Sequence, residues 1–243
     1  MVTAMLADFP IVGNRTGTLS KDVQLPLSFL NELFDFIAAE LPVWRDRPER
    51  KQETAETILT SQLCAHLNSA CKRSNGWDIL QFRPEVPDER IKGRKGDLAP
   101  APCDAVIRIE GRVYTDFDIL FPIECKRLPT PKSSDRDDRE YVYSQHSTTG
   151  GIQRFKAGHH GSAHSLGAMI GYVQEDAIPQ WEQRIRGWIN DLANSGQAGW
   201  SKTDLLQKVS NNESLRLAVF RSFHERGSGQ PMIELRHFWL EMN

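Results

Sequence analysis

The spacing of apolar residues predicts two helices in the first third of the chain. Over residues 26–41, apolar side chains recur at intervals of three and four positions, which is the period of one helix face. A second helix is predicted over residues 53–72, and Asn75-Gly76 is expected to end it. The apolar face of this second helix is predicted to carry Ile58, Leu59, Gln62, Leu63, His66, Leu67 and Ala70.

Runs of β-branched and aromatic residues predict strands in the middle of the chain. These runs occupy residues 79–82, 105–109, 119–125 and 168–173. Residues 86–103 lack the pattern and are interpreted as a polar segment. This segment holds a basic cluster, which could contact phosphates or simply be solvated, and the sequence favours neither. The cluster consists of Arg90, Lys92, Arg94 and Lys95.

The remaining segments complete a mixed α/β pattern. A polar, proline-containing mobile loop is predicted over residues 129–140. A short helix is predicted from Gly151 to about Ala157, a longer helix over 179–192, and a hairpin from residues 215–223 and 232–242. We therefore expect an α/β fold with a mixed central sheet flanked by helices. The expected division is an N-terminal helical extension (1–52), a core (53–175), and a C-terminal helix and hairpin packed on that core (176–243).

Composition limits the function classes. The chain has 243 residues, 39% of them hydrophobic, and a formal net charge of −2. It is therefore no polycation, and any nucleic-acid binding must depend on local positive charge or on metal ions. Four cysteines without a CxxC pair indicate reduced thiols. Neither a signal peptide nor a membrane span is recognisable, so we expect a cytoplasmic protein without a membrane partner.

The strongest candidate chemistry lies at the end of the strand predicted over 119–125. Glu124 and Lys126 are two positions apart, so on a strand they project from the same face while Cys125 faces the other side. Charged groups at the end of a buried strand are costly unless they are paired or bind an ion. A purely structural ion pair remains an alternative interpretation.

A second carboxylate is expected beside Glu124. Asp104 directly precedes the strand 105–109, and antiparallel pairing of that strand with 119–125 would bring Asp104 near Glu124. Two adjacent carboxylates without His or Cys suit Mg²⁺, with Mn²⁺ as a substitute. Lys126 beside such a metal could lose its proton more easily and orient or activate a water. Asp97 is a competing ligand in the polar segment, and Asp116 and Asp118 lie nearer the strand.

A third carboxylate can come from the second predicted helix. Glu53 and Glu56 are the candidates, and Glu56 follows the core-facing stripe more closely. We therefore assign Glu56 to the site. The alternative for Glu56 is a first-turn carboxylate favoured by the helix dipole alone.

These motifs, in this order, resemble those of the PD-(D/E)XK nuclease superfamily. Ile123-Glu124-Cys125-Lys126-Arg127-Leu128 resembles its third motif, and the helix segment 56–63 is similar to its first. Downstream, the segments 151–155 and 169–173 are similar to bacterial members associated with restriction and phage defence. The resemblance covers roughly residues 53–175. It departs at Asp104, because no proline directly precedes that residue.

The resemblance implies a restriction-endonuclease-like core and a Mg²⁺-dependent endonuclease. Asp104, Glu124 and the Cys125 carbonyl would hold the metal, Lys126 would position the attacking water, and Glu56 would support a metal or its waters. Either Gln153 or Arg154 would face the scissile phosphate. The expected substrate is nucleic acid, specifically DNA, in prokaryotic antiphage defence.

Two other classes of function compete with this one. The first is a catalytically silent nuclease-fold subunit of a defence complex. The second is a zinc-bound interaction module built on His159, His160 and His164, although Gly161 interrupts this group and no acidic or Cys partner is adjacent. No nucleotide-binding P-loop is present. The mixed charge of residues 129–140 suggests weak intrinsic DNA affinity and delivery by a partner, such as an ATP-driven DNA-tracking subunit.

Overall fold

A computed structural model describes residues 21–87, 95–134, 136–146, 150–197, 199–227 and 229–243. Arg90, Lys92 and Arg94 of the basic cluster lie outside the described residues, as does the side chain of Lys95. Ser228, at the tip of the C-terminal hairpin, also lies outside them. Within the described part, no helix has the length and apolar character needed to cross a membrane.

Four helices and ten strands form the described structure. The helices are α1 (Ser28–Arg45), α2 (Glu56–Arg73), α3 (Gly151–Lys156) and α4 (Ile178–Asn194), with a 3₁₀ turn at Lys202–Asp204. The strands are β1 (Lys21–Leu25), β2 (Leu80–Pro87), β3 (Lys95–Pro102), β4 (Ala105–Ile109), β5 (Arg112–Tyr114), β6 (Ile123–Leu128), β7 (Leu166–Val173), β8 (Gln207–Asn212), β9 (Leu217–His224) and β10 (Ile233–Glu241).

The strands form two sheets, one of them mixed. The larger sheet has the order β2-β3-β6-β7-β10-β9-β8, and the smaller has the order β1-β4-β5. In the larger sheet β6, β7 and β10 run parallel, while the other pairs are antiparallel. The expected α/β fold with a mixed sheet and flanking helices is confirmed. The C-terminal hairpin continues this same sheet through the pairing of β10 with β7.

Our prediction of which strand pairs with β6 is wrong. We predicted that the strand at 105–109 pairs with it, but that strand, β4, pairs with β1 and β5 in the smaller sheet. β3 takes its place, with Leu98 opposite Ile123. The reason is that β3 spans part of the segment interpreted as polar, where alternating alanines and prolines hide a buried strand. The register of β6 places Glu124 and Lys126 inside the sheet.

Helix α2 forms where its apolar stripe can cover the sheet. Leu59, Leu63 and Leu67 are fully buried on one face, as the periodicity predicts. Ile58 lies outside this stripe and is 44% exposed, so its assignment to the apolar face is wrong. The first residue of the helix is Glu56. Packing of the leucine stripe therefore fixes where this carboxylate lies relative to the strands.

The segment predicted as a mobile loop is packed against the protein. Among its described residues, Thr130, Asp137 and Glu140 are buried. Asp137 accepts hydrogen bonds from the Arg139 guanidinium and from the backbone N–H of Gln145. Charged side chains of this segment, which suggested a mobile loop, therefore form hydrogen bonds with each other and with the backbone.

A buried chain of hydrogen bonds runs from the 3₁₀ turn through β9 and β10 to Tyr141. The Nδ1 of His224 lies 2.6 Å from Asp204 Oδ1, and its Nε2 lies 2.6 Å from Ser222 Oγ. Ser222 Oγ lies 2.7 Å from His237 Nε2, whose ring contacts the Tyr141 hydroxyl through Nδ1 at 2.9 Å. Lys156 pairs with Asp204 at one end, and Trp239 Nε1 donates to Tyr141 at the other.

The donor order in this chain requires both histidines to be neutral. Trp239 donates to the Tyr141 hydroxyl, which donates to His237. His237 then donates to Ser222, Ser222 to His224, and His224 to the Asp204 carboxylate. A second proton on either ring would make it a donor at both nitrogens, leaving a neighbouring hydroxyl without an acceptor. Burial accordingly lowers the pKa of both His224 and His237.

We predict acid destabilisation through this chain. The unfolded histidines bind protons below their ordinary pKa of 6.5, whereas the folded rings do not. Stability is therefore complete above about pH 6.5 and falls as the pH drops below it, by up to about 1.4 kcal/mol per pH unit for each histidine. Urea unfolding between pH 7.5 and 5 measures this slope, and His237→Gln should flatten it. An identical slope in the variant would contradict the interpretation.

Candidate functional site

Glu124 and Lys126 lie in the centre of the larger sheet. β6 is flanked by β3 and β7, and both faces of a strand in such a position are covered. Glu124 is completely buried and Lys126 is 5% exposed. Lys126 Nζ lies 3.0 Å from Glu124 Oε1, as expected for residues two positions apart on one strand face.

Two further side chains contact Glu124 from the segment between β6 and β7. The guanidinium of Arg154, on α3, donates to Glu124 Oε1 at 2.7 Å. His160 Nε2 lies 3.2 Å from Glu124 Oε2 and the same distance from Arg154 Nη1. Glu124 Oε2 has no hydrogen-bond partner of good geometry among the described residues. One carboxylate oxygen therefore accepts two hydrogen bonds, while the other is buried without one of good geometry.

Glu56 joins this cluster from the first turn of α2. Its Oε1 accepts a hydrogen bond from Lys126 Nζ at 3.2 Å, and its Oε2 accepts one from the backbone N–H of Arg127 at 3.1 Å. The structure thus brings Glu56 together with Glu124 and Lys126, as we expected. The helix also places the carboxylate in its own first turn, where its dipole favours negative charge, so both interpretations of Glu56 apply.

The second carboxylate of the site is Asp97, not Asp104. Asp97 lies on β3 next to the Leu98–Ile123 pair, and its Oδ2 accepts a hydrogen bond from the backbone N–H of Cys125 at 2.8 Å. Asp104 is exposed in the turn between β3 and β4, at a φ of 51°. Our expectation that Asp104 lies beside Glu124, from which we assigned it to the metal and catalytic set, is therefore wrong, because it assumed that β4 is the neighbour of β6.

Electrostatics couples the four residues of this cluster. Burial, and then the charge of Glu124, raise the pKa of Asp97 to about 7. Burial also opposes ionisation of Glu124, yet Lys126, His160 and Arg154 together lower its pKa. For Lys126, burial would lower the pKa, but Glu124, Glu56 and Asp97 raise it above its usual value. These carboxylates hold Lys126 as an ammonium ion, and the expectation that a neighbouring metal would ease its deprotonation stays a prediction.

The two residues expected to face a phosphate are used differently. Arg154 lies in the cluster, within contact of Glu124. The side-chain oxygen of Gln153 instead accepts hydrogen bonds from the backbone N–H groups of Ser144 and Gly150, at 3.0 and 3.2 Å. Gln153 therefore caps the start of α3, and the structure does not place this oxygen in the cluster. A glutamine that closes a capping box and one that binds a phosphate look the same in the sequence here.

His160 is the site residue that sequence reasoning missed. We noted it only as part of an unlikely zinc motif, yet it is 4% exposed and contacts Glu124. Its ring also lies against Gly96, where an added Cβ would meet Nδ1 at 3.7 Å. Gly161, at a φ of +60°, turns the chain close to Pro122. The available signal was a histidine pair bounded by Gly158 and Gly161, which does not by itself fix the direction of either side chain.

Asp97 and Glu124 are the side chains of this cluster that could contact a divalent cation. Among the described residues, no group of three or more His, Cys, Asp and Glu side chains could hold a metal ion. Asp97 and Glu124 are nevertheless two mutually repelling carboxylates on neighbouring strands, and Glu124 Oε2 lacks a hydrogen bond. Mg²⁺ is commonly bound by one or two carboxylates with water completing its shell. The carbonyl of Cys125 would be the expected backbone ligand beside them.

The Cys125 side chain is separate from this donor set. Cys125 is completely buried and its thiol interacts with Tyr172 and Thr60. Burial raises the pKa of this thiol well above its ordinary value, so it remains protonated. A protonated thiol is a poor metal ligand, which leaves only the backbone of Cys125 for this role.

No family model, curated protein or solved structure matches this chain.

We predict that Asp97 makes stability fall as the pH rises. Its folded-state pKa of about 7 is above its ordinary 3.8, so its contribution is complete below about pH 4 and is lost as the pH rises towards 7. Asp97→Asn removes this titration. The free energy of unfolding of the variant, relative to wild type, should therefore rise by up to about 1.4 kcal/mol per pH unit in this window. Urea unfolding in EDTA measures this, with Asp104→Asn as the matched control. An Asp97→Asn curve parallel to wild type would refute the coupling.

Proposed function

We propose that this protein is a metal-dependent nuclease with a restriction-endonuclease-like core, which hydrolyses phosphodiester bonds in DNA. The observation that carries the proposal is the convergence of Glu56, Asp97, Glu124 and Lys126 within a mixed sheet. Buried charges at this density cost stability unless they bind an ion or a charged substrate. The order of the motifs along the chain, which resembles that of PD-(D/E)XK nucleases, supports the same assignment.

Each residue of the cluster has a distinct role in the proposed reaction. Asp97 and Glu124 would hold Mg²⁺ or Mn²⁺, which would supply Lewis-acid activation of water and of the phosphate oxygens. Lys126, kept protonated, donates hydrogen bonds that orient the attacking water and stabilise charge on the phosphate. Glu56 fixes the ammonium group of Lys126 at 3.2 Å and thereby keeps it aimed along the strand face.

Arg154 is the proposed phosphate ligand. Its guanidinium contacts Glu124 at 2.7 Å, while its side chain is 23% exposed and thus reachable from outside. A phosphate diester offers the same paired oxygens as a carboxylate. A cation on Glu124 would weaken its attraction for Arg154, and the guanidinium would then be available to the substrate. We propose that metal and DNA therefore bind to this site in a mutually supporting way.

The biological setting we propose is antiphage defence in the cytoplasm, with an ATP-driven DNA-tracking partner. The net charge of −2 supports weak intrinsic DNA affinity. The packed charges at residues 136–140, which pair with each other, add no strong DNA-binding surface.

A catalytically silent subunit is the second candidate, and one observation favours it. Two cations, Lys126 and Arg154, already neutralise Glu124 and could replace a metal structurally.

Cleavage assays distinguish an enzyme from a silent subunit. On supercoiled plasmid with Mg²⁺, Lys126→Met and Glu124→Gln should each reduce cleavage by roughly 10²-fold or more, because they remove water orientation or metal binding. Asp97→Asn should behave like Glu124→Gln, whereas Asp104→Asn should cut like wild type. EDTA should abolish cleavage. A wild-type protein inactive with Mg²⁺ and Mn²⁺ would favour the silent subunit, and full activity of Lys126→Met would sink the mechanism.

A further inference from the structure

The turn that carries His160 is attached to the C-terminal hairpin by one guanidinium. Residues 158–164, which we call the His160 turn, follow α3 and bring His160 Nε2 to 3.2 Å from both Glu124 Oε2 and Arg154 Nη1. Arg226 lies two positions after the end of β9. Its side chain donates to two backbone carbonyls of the His160 turn, so the hairpin contacts the site through this segment.

The guanidinium of Arg226 spans the closed end of the His160 turn. Its Nη1 donates to the Gly161 carbonyl at 2.8 Å, and its Nη2 donates to the His164 carbonyl at 2.8 Å. Its Nε donates to the Pro231 carbonyl, within the hairpin, at 2.7 Å. A guanidinium is planar and its donors point in fixed directions, so these three bonds together fix the turn relative to the hairpin.

Arg226 is a buried cation without a carboxylate partner. It is 8% exposed, and no ion pair joins it to an acidic side chain of the described residues. Burial lowers the pKa of its guanidinium, and no nearby acidic group among those residues opposes this effect. A buried charge that only carbonyls satisfy is costly. Since an apolar side chain would fill the space without that cost, the effect specific to the guanidinium is to fix the turn.

The His160 turn has two attachments, and His160 lies between them. At its start, the backbone N–H of His160 donates to the Arg154 carbonyl at 3.3 Å, which ties the turn to α3. At its end, the backbone N–H of His164 donates to the Gly161 carbonyl at 2.9 Å. Arg226 binds the carbonyls of both residues of this closure. Without Arg226 the turn would keep its attachment to α3 and lose the one to the hairpin, which would change the direction of the His160 ring.

We propose that Arg226 is a positioning residue for the candidate site: it holds the His160 turn so that the His160 ring stays against Glu124 and Arg154. The ring lies 3.2 Å from both side chains and thereby limits where the carboxylate and the guanidinium can move. The effect of Arg226 on the site passes through this ring. Its consequence for cleavage rests on the proposed nuclease function, whereas the placement of the ring does not.

NMR of the imidazole ¹H–¹⁵N correlations, recorded in EDTA at pH 7.5, tests the placement of the ring without any need for activity. His160→Gln identifies the His160 signals. We expect Arg226→Met to shift these signals by more than their line width, because the turn loses its attachment to the hairpin. The signals of His66, on α2, should stay unchanged and serve as the internal reference.

Arg45→Met is the matched control for Arg226→Met. Arg45 is also a buried arginine, 6% exposed, and its guanidinium donates to the carbonyls of Leu215 and Glu241 at 2.8 and 3.2 Å. The variant therefore removes a similar guanidinium from other contacts of the C-terminal segment. Its His160 signals should stay at their wild-type positions, since a general loss of stability does not move the ring in the folded protein.

A double-mutant cycle measures the effect on the proposed reaction. With Mg²⁺, Arg226→Met should lower kcat for plasmid cleavage about tenfold and leave the KM for DNA within about twofold, since small displacements of site groups affect the chemical step. His160→Gln should cause a similar loss. The double variant should cut no more slowly than His160→Gln alone, because both changes act through one ring. Arg45→Met should cut like wild type.

Two NMR results would overturn the proposal: unchanged His160 signals in folded Arg226→Met, or an equal shift in Arg45→Met. If Arg226→Met does not fold, Arg226→Lys keeps the charge without the planar fork and should shift the same signals. Additive losses of kcat in the double variant would also overturn it, because Arg226 would then act by another route. A wild-type protein that does not cut refutes the nuclease proposal, and the NMR result in EDTA still decides whether Arg226 places the ring.

Discussion

The neutralisation of Glu124 is the interaction on which the rest of the candidate site depends. A carboxylate with no exposure in the middle of a sheet is not stable alone, since burial of an isolated charge costs several kcal/mol. Lys126 comes from the same strand, Arg154 from α3, and His160 from the turn that follows α3. The carboxylate thus ties the crossover between β6 and β7 to the sheet. Removing its charge would leave Arg154 without this carboxylate, while Lys126 would keep its contact with Glu56.

Helix α3 connects this cluster to the buried histidine chain. Arg154 contacts Glu124, and Lys156, two positions later and therefore on another side of the helix, pairs with Asp204. Asp204 in turn accepts from His224. A helix of only six residues has little stability of its own, so these two ion pairs and its buried Ile152 and Phe155 hold it in place. The position of Arg154 consequently depends both on Glu124 and on the hydrogen-bond chain that ends at Asp204.

Sequence periodicity predicted the helices, the central strand and the C-terminal hairpin because each buries a regular apolar stripe. It also predicted Glu124, Lys126 and Glu56, since strand and helix geometry fix their direction within a few residues. It failed for Asp97, because strand order is a tertiary property: which strand lies beside β6 depends on the whole sheet. The alternating alanines and prolines of β3 gave no strand signal, and Asp104 only looked well placed beside an obvious strand.

His160 and Gln153 show a second limit of the sequence. A histidine between glycines can face solvent, a metal or a carboxylate, and the inward turn at Gly161 is decided by packing against Pro122. Gln153 has the same sequence pattern whether it caps a helix or contacts substrate, and here its oxygen caps α3. The role of a polar side chain with several possible partners can be assigned only when the positions of the surrounding helices and strands are known.

The most direct test of the site is calorimetric titration of the purified protein with Mn²⁺ at pH 7.5. A single cation should bind to wild type, and Asp97→Asn and Glu124→Gln should each weaken it by roughly 10-fold or more, because each removes one of two carboxylate ligands. Asp104→Asn should bind the cation like wild type. Unchanged binding in Asp97→Asn with loss in Asp104→Asn would contradict the account.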